Sequence, residues 1–133
     1  MLWILFSVHG AGIGAAVAAG QRSMHAGLHT AAIAPAATGV WAIWSVFTSA
    51  EPRVYEITWV EALDLVIRFR TDSLALLMTA IVSGIGALVF VYATGYFSPG
   101  ATGGSRFAAS LLAFSTAMLG LVLADSVWTL FIF

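Results

Sequence analysis

Residues 69–97 read FRTDSLALLMTAIVSGIGALVFVYATGYF, and this stretch decides the fold class. After Asp72 the chain has 33 residues without an acidic or basic side chain, up to Arg106. A helix rises about 1.5 Å per residue, so roughly 20 such residues cross the hydrocarbon layer of a bilayer. Tyr92 and Tyr96 lie near the far end, where amphipathic rings favour the membrane–water interface. The stretch therefore predicts a transmembrane helix that begins after Asp72.

The composition of the whole chain also indicates a membrane protein. Hydrophobic residues make up 61% of the 133 residues and charged residues 8%, whereas soluble domains have about 25% charged residues. The net charge is −1 and the chain has no lysine, which leaves no basic patch for a nucleic acid. The lack of cysteine in the sequence excludes disulfides, thiolate metal sites and thiol catalysis. We therefore expect an all-α integral membrane protein embedded in the lipid bilayer.

The first uncharged run, residues 1–21, predicts another transmembrane helix. Ala16-Val17-Ala18 resembles the cleavage site of a signal peptide. However, no positive residue precedes the run, and the first cation, Arg22, follows it. This order favours a membrane helix with its N-terminus outside the cell.

A glycine-rich motif lies inside this first run. The sequence from Gly10 to Ala15 matches the dinucleotide fingerprint G-x-G-x-x-G/A. That fingerprint requires an acidic residue about 20 positions later, and the first acidic residue is Glu51. We therefore interpret Gly10 and Gly14 as a GxxxG pair that lets helices approach closely.

The second uncharged run covers residues 23–50 and completes a first region, residues 1–50, of two membrane helices. Pro35 is compatible with a membrane helix. His25 and His29 are one helical turn apart, but neither Glu nor Cys lies nearby as a third metal ligand. We expect interfacial histidines and no metal site.

Residues 51–72 form a second region of different character, with eight of the eleven charged residues of the chain. Apolar and polar residues alternate in 56–59 and again in 65–70, on either side of the short segment 61–64. Such alternation predicts a β-hairpin on the membrane surface. An amphipathic interfacial helix is the alternative.

Residues 73–133 form the third region, which begins with the membrane helix described above. Ala80, Gly84 and Ala87 share one face of that helix, with Ser83 and Gly86 beside them, and predict a helix-packing surface. The Gly- and Ser-rich residues 98–105 predict a flexible connection to a fourth helix.

The uncharged segment 107–133 is interrupted once, by Asp125. A single helix through the segment would bury this carboxylate, at about 2.5–3.5 kcal/mol on insertion scales. A turn at residues 124–126, with Asp125 or Ser126 capping a new helix, avoids that cost. We therefore expect four transmembrane helices and the first two turns of a fifth, with a hairpin on the membrane surface between the second and third helices.

Several motifs are similar to those of the antiporter-like membrane subunits, a family found in the Mrp-type multisubunit cation/proton antiporter and, as chain 5, in complex I. Residues 69–77 resemble the family's FRxDGLSLL motif, and residues 91–97 resemble its YSxGY segment. Arg106-Phe107, residues 121–125 and residues 128–133 resemble its R-F, VLADN and LLLLFLF stretches in the same order. The chain departs from the family at Ser73, Ala75 and Ser126.

The resemblance implies the N-terminal portion of a longer subunit, or a split or truncated chain. In the family, the sequence after the position of Phe133 continues with an intramembrane glutamate and later with lysines that carry protons. The family also implies that residues 51–72 are external. Charge counting does not support this, because the loop has three arginines against Arg22 and Arg106 on the other side.

The resemblance implies a function in exchanging Na⁺ or another monovalent cation for protons, together with other subunits, without a cofactor and without enzymatic chemistry. Asp72 and Asp125 match family positions and are candidates for an ion path, with helix capping as the alternative. His9 is the only titratable side chain well inside a predicted span. It is a candidate proton carrier, with a packed neutral histidine as the alternative. We expect no transport by these 133 residues alone.

Two other functions stay open at this stage. One is a proton-pumping subunit of a complex I-like or membrane-hydrogenase assembly, which has the same motifs. The other is a structural piece that helps to assemble a membrane complex. All three functions place the chain in a membrane, which for the antiporter would be the bacterial plasma membrane.

Overall fold

The computed structural model describes residues 2–21, 23–48, 51–63, 65–98 and 103–133. Within them, the fold consists of five α-helices and a two-stranded antiparallel sheet. The elements are α1 (Leu2–Gly20), α2 (Met24–Phe47), β1 (Arg53–Val60), β2 (Leu65–Thr71), α3 (Ser73–Tyr96), α4 (Gly104–Leu123) and α5 (Val127–Ile132), with a 3₁₀ turn at Glu61–Leu63 between the strands.

Three helices are long and apolar enough to cross a membrane, judged by length and composition over the described residues: His25–Phe47, Ser73–Tyr96 and Gly104–Leu123. Leu5–Gly20 in α1 is apolar but shorter. The mostly helical membrane architecture is therefore confirmed, and the fourth transmembrane helix stays a prediction.

The four long helices pack against one another around small side chains. A Cβ atom added at Gly27 of α2 would lie 2.8 Å from the Cα of Gly20 in α1, and one added at Gly20 would lie 2.7 Å from the Cβ of Ser105 in α4. Glycine is required at these two close approaches because any side chain would separate the helices. Larger side chains fill the remaining interior, including the buried Leu28, Phe90 and Leu112.

The predicted packing glycines lie elsewhere. A Cβ added at Gly10, Gly14 or Gly84 would meet no heavy atom within 4 Å among the described residues, and all three glycines are exposed. In the first helix Gly12 faces α4 and α2 instead, because residues two apart on a helix point about 200° apart. The GxxxG spacing identified a common face but not the face that this bundle uses.

The α3 stripe is displaced in the same way. Ala80 and Ala87 are only half-buried, whereas Thr79, Ser83 and Phe90 are buried on the face of α3 turned toward the bundle. The packing role predicted for Ala80, Gly84 and Ala87, and for Gly10 and Gly14, stays a prediction for contact with another helix.

The two strands form the hairpin that the alternation predicted, so the alternative of an amphipathic helix is wrong. Val54 pairs with Arg70, Glu56 with Arg68 and Ile57 with Ile67, with a register shift between Thr58 and Val60. Cross-strand opposite charges stabilise such ladders. Here the Arg68 Nε atom lies 2.9 Å from the Glu56 Oε1 atom.

Aromatic side chains attach the hairpin to one end of the bundle. The ring centroid of Phe69 in β2 lies 5.4 Å from that of Phe6 in α1 and 5.7 Å from that of Phe133. Gly20, at the other end of α1, lies beside Ser105 at the start of α4. The beginning of α1 and the hairpin are therefore at the same end of the bundle.

Some sequence predictions involve residues outside the described ranges. These are the orientation signal from Arg22, the part of the hairpin turn at Asp64, and residues 99–102 of the connection between α3 and α4.

Candidate functional site

A cavity of about 400 Å³ opens at the hairpin end of the bundle, between the end of β2, the start of α3 and the end of α4. We call it the mouth cavity. Its charged lining residues are Arg70, Asp72 and Asp125, and apolar lining residues include Met78 and Leu123. The cavity brings together the two carboxylates that the sequence singled out, although they lie far apart in the chain.

Asp72 caps the third helix. Its backbone is extended (φ −114°, ψ 179°), and its Oδ1 atom accepts a hydrogen bond of 2.8 Å from the Ala75 N–H group. An N-cap carboxylate satisfies one of the free N–H groups of the first turn and also meets the positive end of the helix dipole. The capping alternative is therefore realised, while the side chain still borders the mouth cavity.

Asp72→Ala is expected to destabilise the fold by about 0.5–2 kcal/mol, because the Ala75 N–H group loses its acceptor. Asp72→Asn keeps an acceptor oxygen and is expected to retain most of that stability. Thermal unfolding of both variants in micelles measures the difference. Equal destabilisation by both variants would show that the negative charge, and not only the acceptor oxygen, is needed for the cap.

Asp125 is held by an arginine of the hairpin. The Arg70 Nε atom donates to Asp125 Oδ1 at 2.6 Å, and Nη2 donates to Oδ2 at 3.2 Å. Such bidentate pairs are the strongest geometry for a carboxylate and a guanidinium. The hydrogen bond from Arg70 holds the pKa of Asp125 below its usual value. Asp125, between α4 and α5, is thus charged and paired with Arg70 at the surface.

The turn between α4 and α5 is confirmed, and Ser126 rather than Asp125 is the cap. The Ser126 Oγ atom accepts from the Thr129 N–H group at 3.2 Å. The Ser126 hydroxyl lies 3.3 Å from the Val66 carbonyl oxygen, to which it donates. The turn therefore uses one serine both to start α5 and to bind β2.

Thr129 is the second link between the turn and the hairpin. Its buried Oγ1 atom accepts from the Arg68 N–H group at 2.8 Å and lies 2.8 Å from Ser126 Oγ. The Asp125 N–H group donates to the Arg68 carbonyl oxygen at 2.9 Å. The free edge of β2 is thus paired with the turn, which satisfies polar groups that a sheet edge otherwise leaves open.

Sequence patterns do not single out Arg70 and Thr129 as site residues. Their partners, Asp125 and Arg68, lie 55 and 61 positions away in the chain. No local spacing rule connects such residues. The sequence feature that could have indicated the ion pair is the opposite charge of Arg70 and Asp125, which lie in segments predicted to end at the same membrane surface.

The ion pair predicts a pH dependence of hairpin docking. The pKa of Asp125 is lower in the folded chain than in the unfolded chain, so the pair stabilises the fold above the unfolded value of about 3.9. That stability is lost as the pH falls below the unfolded value and through the folded pKa. A ¹³C NMR titration of the carboxyl group measures this pKa.

Arg70→Gln is expected to raise the pKa of Asp125 toward its ordinary value. The matched control is Arg53→Gln, because Arg53 is also a hairpin arginine but makes no ion pair within the described residues. Equal titration of Asp125 in both variants would contradict the role of Arg70.

His9 lies apart from the mouth cavity, inside the bundle. It is fully buried, and its Nδ1 atom lies 3.0 Å from the Leu5 carbonyl oxygen. Because a carbonyl only accepts, Nδ1 carries the proton in this contact. His25 and His29 lie on α2, half-buried and exposed respectively. No cluster of three His, Cys, Asp or Glu side chains suited to a metal occurs among the residues that the structure describes.

Several known proteins are similar to this chain in sequence and in fold. Residues 57–108 match the family described as NADH-ubiquinone oxidoreductase (complex I), chain 5 N-terminus. The chain is 38% identical over 79 residues to the putative antiporter subunit mnhA2 of Staphylococcus haemolyticus (strain JCSC1435), which is 59% of this chain and 10% of that protein. It is 40% identical over 77 residues to the protein of the same name in Staphylococcus aureus (strain MRSA252), which is 58% of this chain and again 10% of that protein.

A solved structure gives a wider match. The chain aligns over 98% of its length with 14% of a chain in the structure of the Mrp complex from Dietzia sp. DQ12-45-1b, with a TM-score of 0.74 and 31% identity. The predicted resemblance to the antiporter-like subunits is confirmed. The chain spans about a tenth of the length of the curated relatives that it matches.

Proposed function

We propose that this chain is the N-terminal portion of a membrane subunit of a monovalent cation (Na⁺)/proton antiporter complex in the bacterial plasma membrane. The observation that carries the proposal is the alignment of 98% of the chain, at 31% identity, with a chain of an Mrp complex. The antiporter subunits of two staphylococci support the same assignment. Other subunits of that complex would be its partners.

In this proposal the mouth cavity is on the external side, together with the hairpin and the N-terminus. Phe6, near the N-terminus, lies beside Phe69 of the hairpin, which supports the N-terminus and the hairpin being on the same side of the membrane. Asp72 and Asp125 would then meet cations and protons before these enter the rest of the subunit. The outward glycines Gly10, Gly14 and Gly84 would receive other helices of the complex.

We further propose that these residues do not transport ions alone. Moving a proton across a bilayer requires a series of ionisable groups or waters. The described part of α3 has no ionisable side chain between Asp72 and Tyr92, and His9 is the only one well inside α1. Asp72 and Asp125 are occupied as a cap and as an ion-pair partner at the surface.

A complex I-like proton pump is the second candidate. The description of the matching family favours it, because that family is named after chain 5 of complex I. The names of the curated relatives and of the solved complex favour the antiporter. We therefore rank the redox-linked function second, and a purely structural role in assembly third.

The test uses everted membrane vesicles from cells that lack their own Na⁺/H⁺ antiporters. We expect the complete complex containing these residues to dissipate a preformed proton gradient when Na⁺ is added. The chain expressed by itself is expected to have no such effect. The gradient should be formed by ATP hydrolysis, so that activity without NADH distinguishes the antiporter from a redox pump.

Failure of the complete complex to respond to Na⁺, K⁺ or Li⁺ would contradict the antiporter. Antiport by the chain alone would contradict its dependence on the rest of the complex. If the chain copurifies with the other subunits but the complex has no transport activity, the structural role is favoured.

A further inference from the structure

Four buried polar side chains in the helix bundle each have one polar atom without a hydrogen-bond partner among the described residues. The unpaired atoms are His9 Nε2 in α1, Thr79 Oγ1 and Ser83 Oγ in α3, and Ser115 Oγ in α4. Each of these residues is 5% exposed or less. Buried polar groups in native proteins are nearly always satisfied, so each exception needs an explanation.

The two serines lie about one helical turn apart in depth. A Cβ added at Gly39 of α2 would lie 3.4 Å from Ser83 Cβ, and one added at Gly86 would lie 3.3 Å from Ser115 Oγ and 3.6 Å from Pro35 Cβ. Gly39 and Pro35 are four residues apart in α2, about 6 Å along its axis. Ser83 and Ser115 are therefore separated by about one helical turn in depth.

His9 and Thr79 each lie within about one helical turn of one of the serines in depth. A Cβ added at Gly12 would lie 3.3 Å from Ala34 Cβ, so this part of α1 is level with Pro35. His9 is about 4.5 Å further along α1, in the direction of Gly39 because α1 and α2 are antiparallel. Thr79 is one turn from Ser83, on the side away from Ser115, so the four side chains cover about two helical turns in depth. We call these four side chains the polar layer.

A partner outside this chain cannot satisfy the polar layer. The four atoms are already covered by the described residues, each with less than 1 Å² accessible. Another subunit packed on the bundle would reach only its outer faces. Whatever pairs with these atoms must be small enough to lie inside.

Bonding to the helix backbone does not account for the layer either. Elsewhere the hydroxyls of Thr30, Thr48, Thr94 and Thr116 donate to a carbonyl of the preceding turn, as Ser and Thr commonly do in helices. Thr79, Ser83 and Ser115 do not. Nε2 of His9 cannot, because its imidazole already uses Nδ1 for the Leu5 carbonyl and presents a lone pair at Nε2.

We propose that the polar layer is a binding site for ordered water molecules, one of which donates to His9 Nε2. Water is small, donates to a lone pair, and both donates to and accepts from hydroxyls. This site is separate from the mouth cavity and does not depend on the proposed transport activity. It would make His9 accessible to protons in the interior of an otherwise apolar bundle.

The test is X-ray radiolysis of the complete complex with mass spectrometry, because hydroxyl radicals formed from bound water label the residues beside it. We expect His9 to be oxidised at short exposure. Leu28 is equally buried and lies about two helical turns from Pro35 in α2, so it is the internal control for a dry position. Labelling of His9, normalised to intrinsic reactivity, no greater than that of Leu28 would overturn the proposal.

Two variants test whether the oxidation of His9 depends on the hydroxyl groups of the polar layer. Thr79→Val combined with Ser115→Ala removes two hydroxyls and is expected to lower the labelling of His9 several-fold. Ser110→Ala, on the exposed face of the same α4 helix, is the matched control and should leave it unchanged. Equal labelling of His9 in both variants would overturn the proposal, and the wild-type comparison with Leu28 does not depend on how either variant folds.

Discussion

Replacing Gly27 by alanine is expected to destabilise the helix bundle by about 1–3 kcal/mol, the usual range for overpacking. The added Cβ would lie 2.8 Å from the Cα and 3.1 Å from the backbone N of Gly20, and 3.2 Å from the Ala16 carbonyl oxygen. These are backbone atoms of α1 and cannot rotate away, so α1 and α2 must separate. Unfolding of the chain in mixed micelles, followed by tryptophan fluorescence, measures the change.

The matched control is Gly14→Ala, where an added Cβ meets nothing within 4 Å among the described residues. Alanine is the better helix former by about 0.8–1.0 kcal/mol, so this change is expected to leave stability unchanged or raise it. The first substitution is therefore expected to lower the free energy of unfolding, and the second to leave it unchanged or raise it. Destabilisation of equal size by both would show that Gly14, and not only Gly27, lies at a helix contact.

Thr129→Val is expected to release the hairpin from the turn between α4 and α5. Valine fills the same space but leaves the part-buried Arg68 N–H group without its acceptor, a loss of about 1 kcal/mol, the lower end of the range for an unsatisfied donor. Since about 1.4 kcal/mol corresponds to a factor of ten, exchange of the Arg68 amide hydrogen should accelerate about fivefold. Hydrogen exchange followed by NMR measures this protection.

Thr58→Val is the control for that experiment. Thr58 lies on the same hairpin, and its side chain is exposed, so the substitution should leave exchange at Arg68 nearly unchanged. Similar acceleration in both variants would mean that the threonine content of the hairpin, rather than the bond to Thr129, controls its docking.

The sequence predicted those parts of the fold that depend on neighbouring residues. Alternation in 56–59 and 65–70 predicted the hairpin, and the carboxylate of Asp72 before an apolar run predicted an N-cap. The cost of placing Asp125 in lipid predicted the turn. Each of these predictions compares residues within one or two turns of chain, where sequence spacing determines geometry.

Contacts between distant segments were not predictable in this way. The GxxxG spacing at Gly10 and Gly14 was visible, but which face of α1 packs depends on where α2 and α4 lie. Likewise, the bond from Arg70 to Asp125 depends on the hairpin reaching the end of α4. Sequence patterns identified both carboxylates as candidates and gave capping as an alternative for each, without indicating that Asp125 pairs with Arg70.

The attachment of β2 to the α4–α5 turn also has a consequence for biosynthesis. Arg70 and its partner Asp125 are 55 residues apart, and chains are synthesised at about 5–20 residues per second. For several seconds after the hairpin leaves the ribosome, the turn that covers its edge has not yet been made. The edge of β2 is open to other strands during that time, so the nascent chain is most vulnerable to aggregation before the end of α4 is inserted.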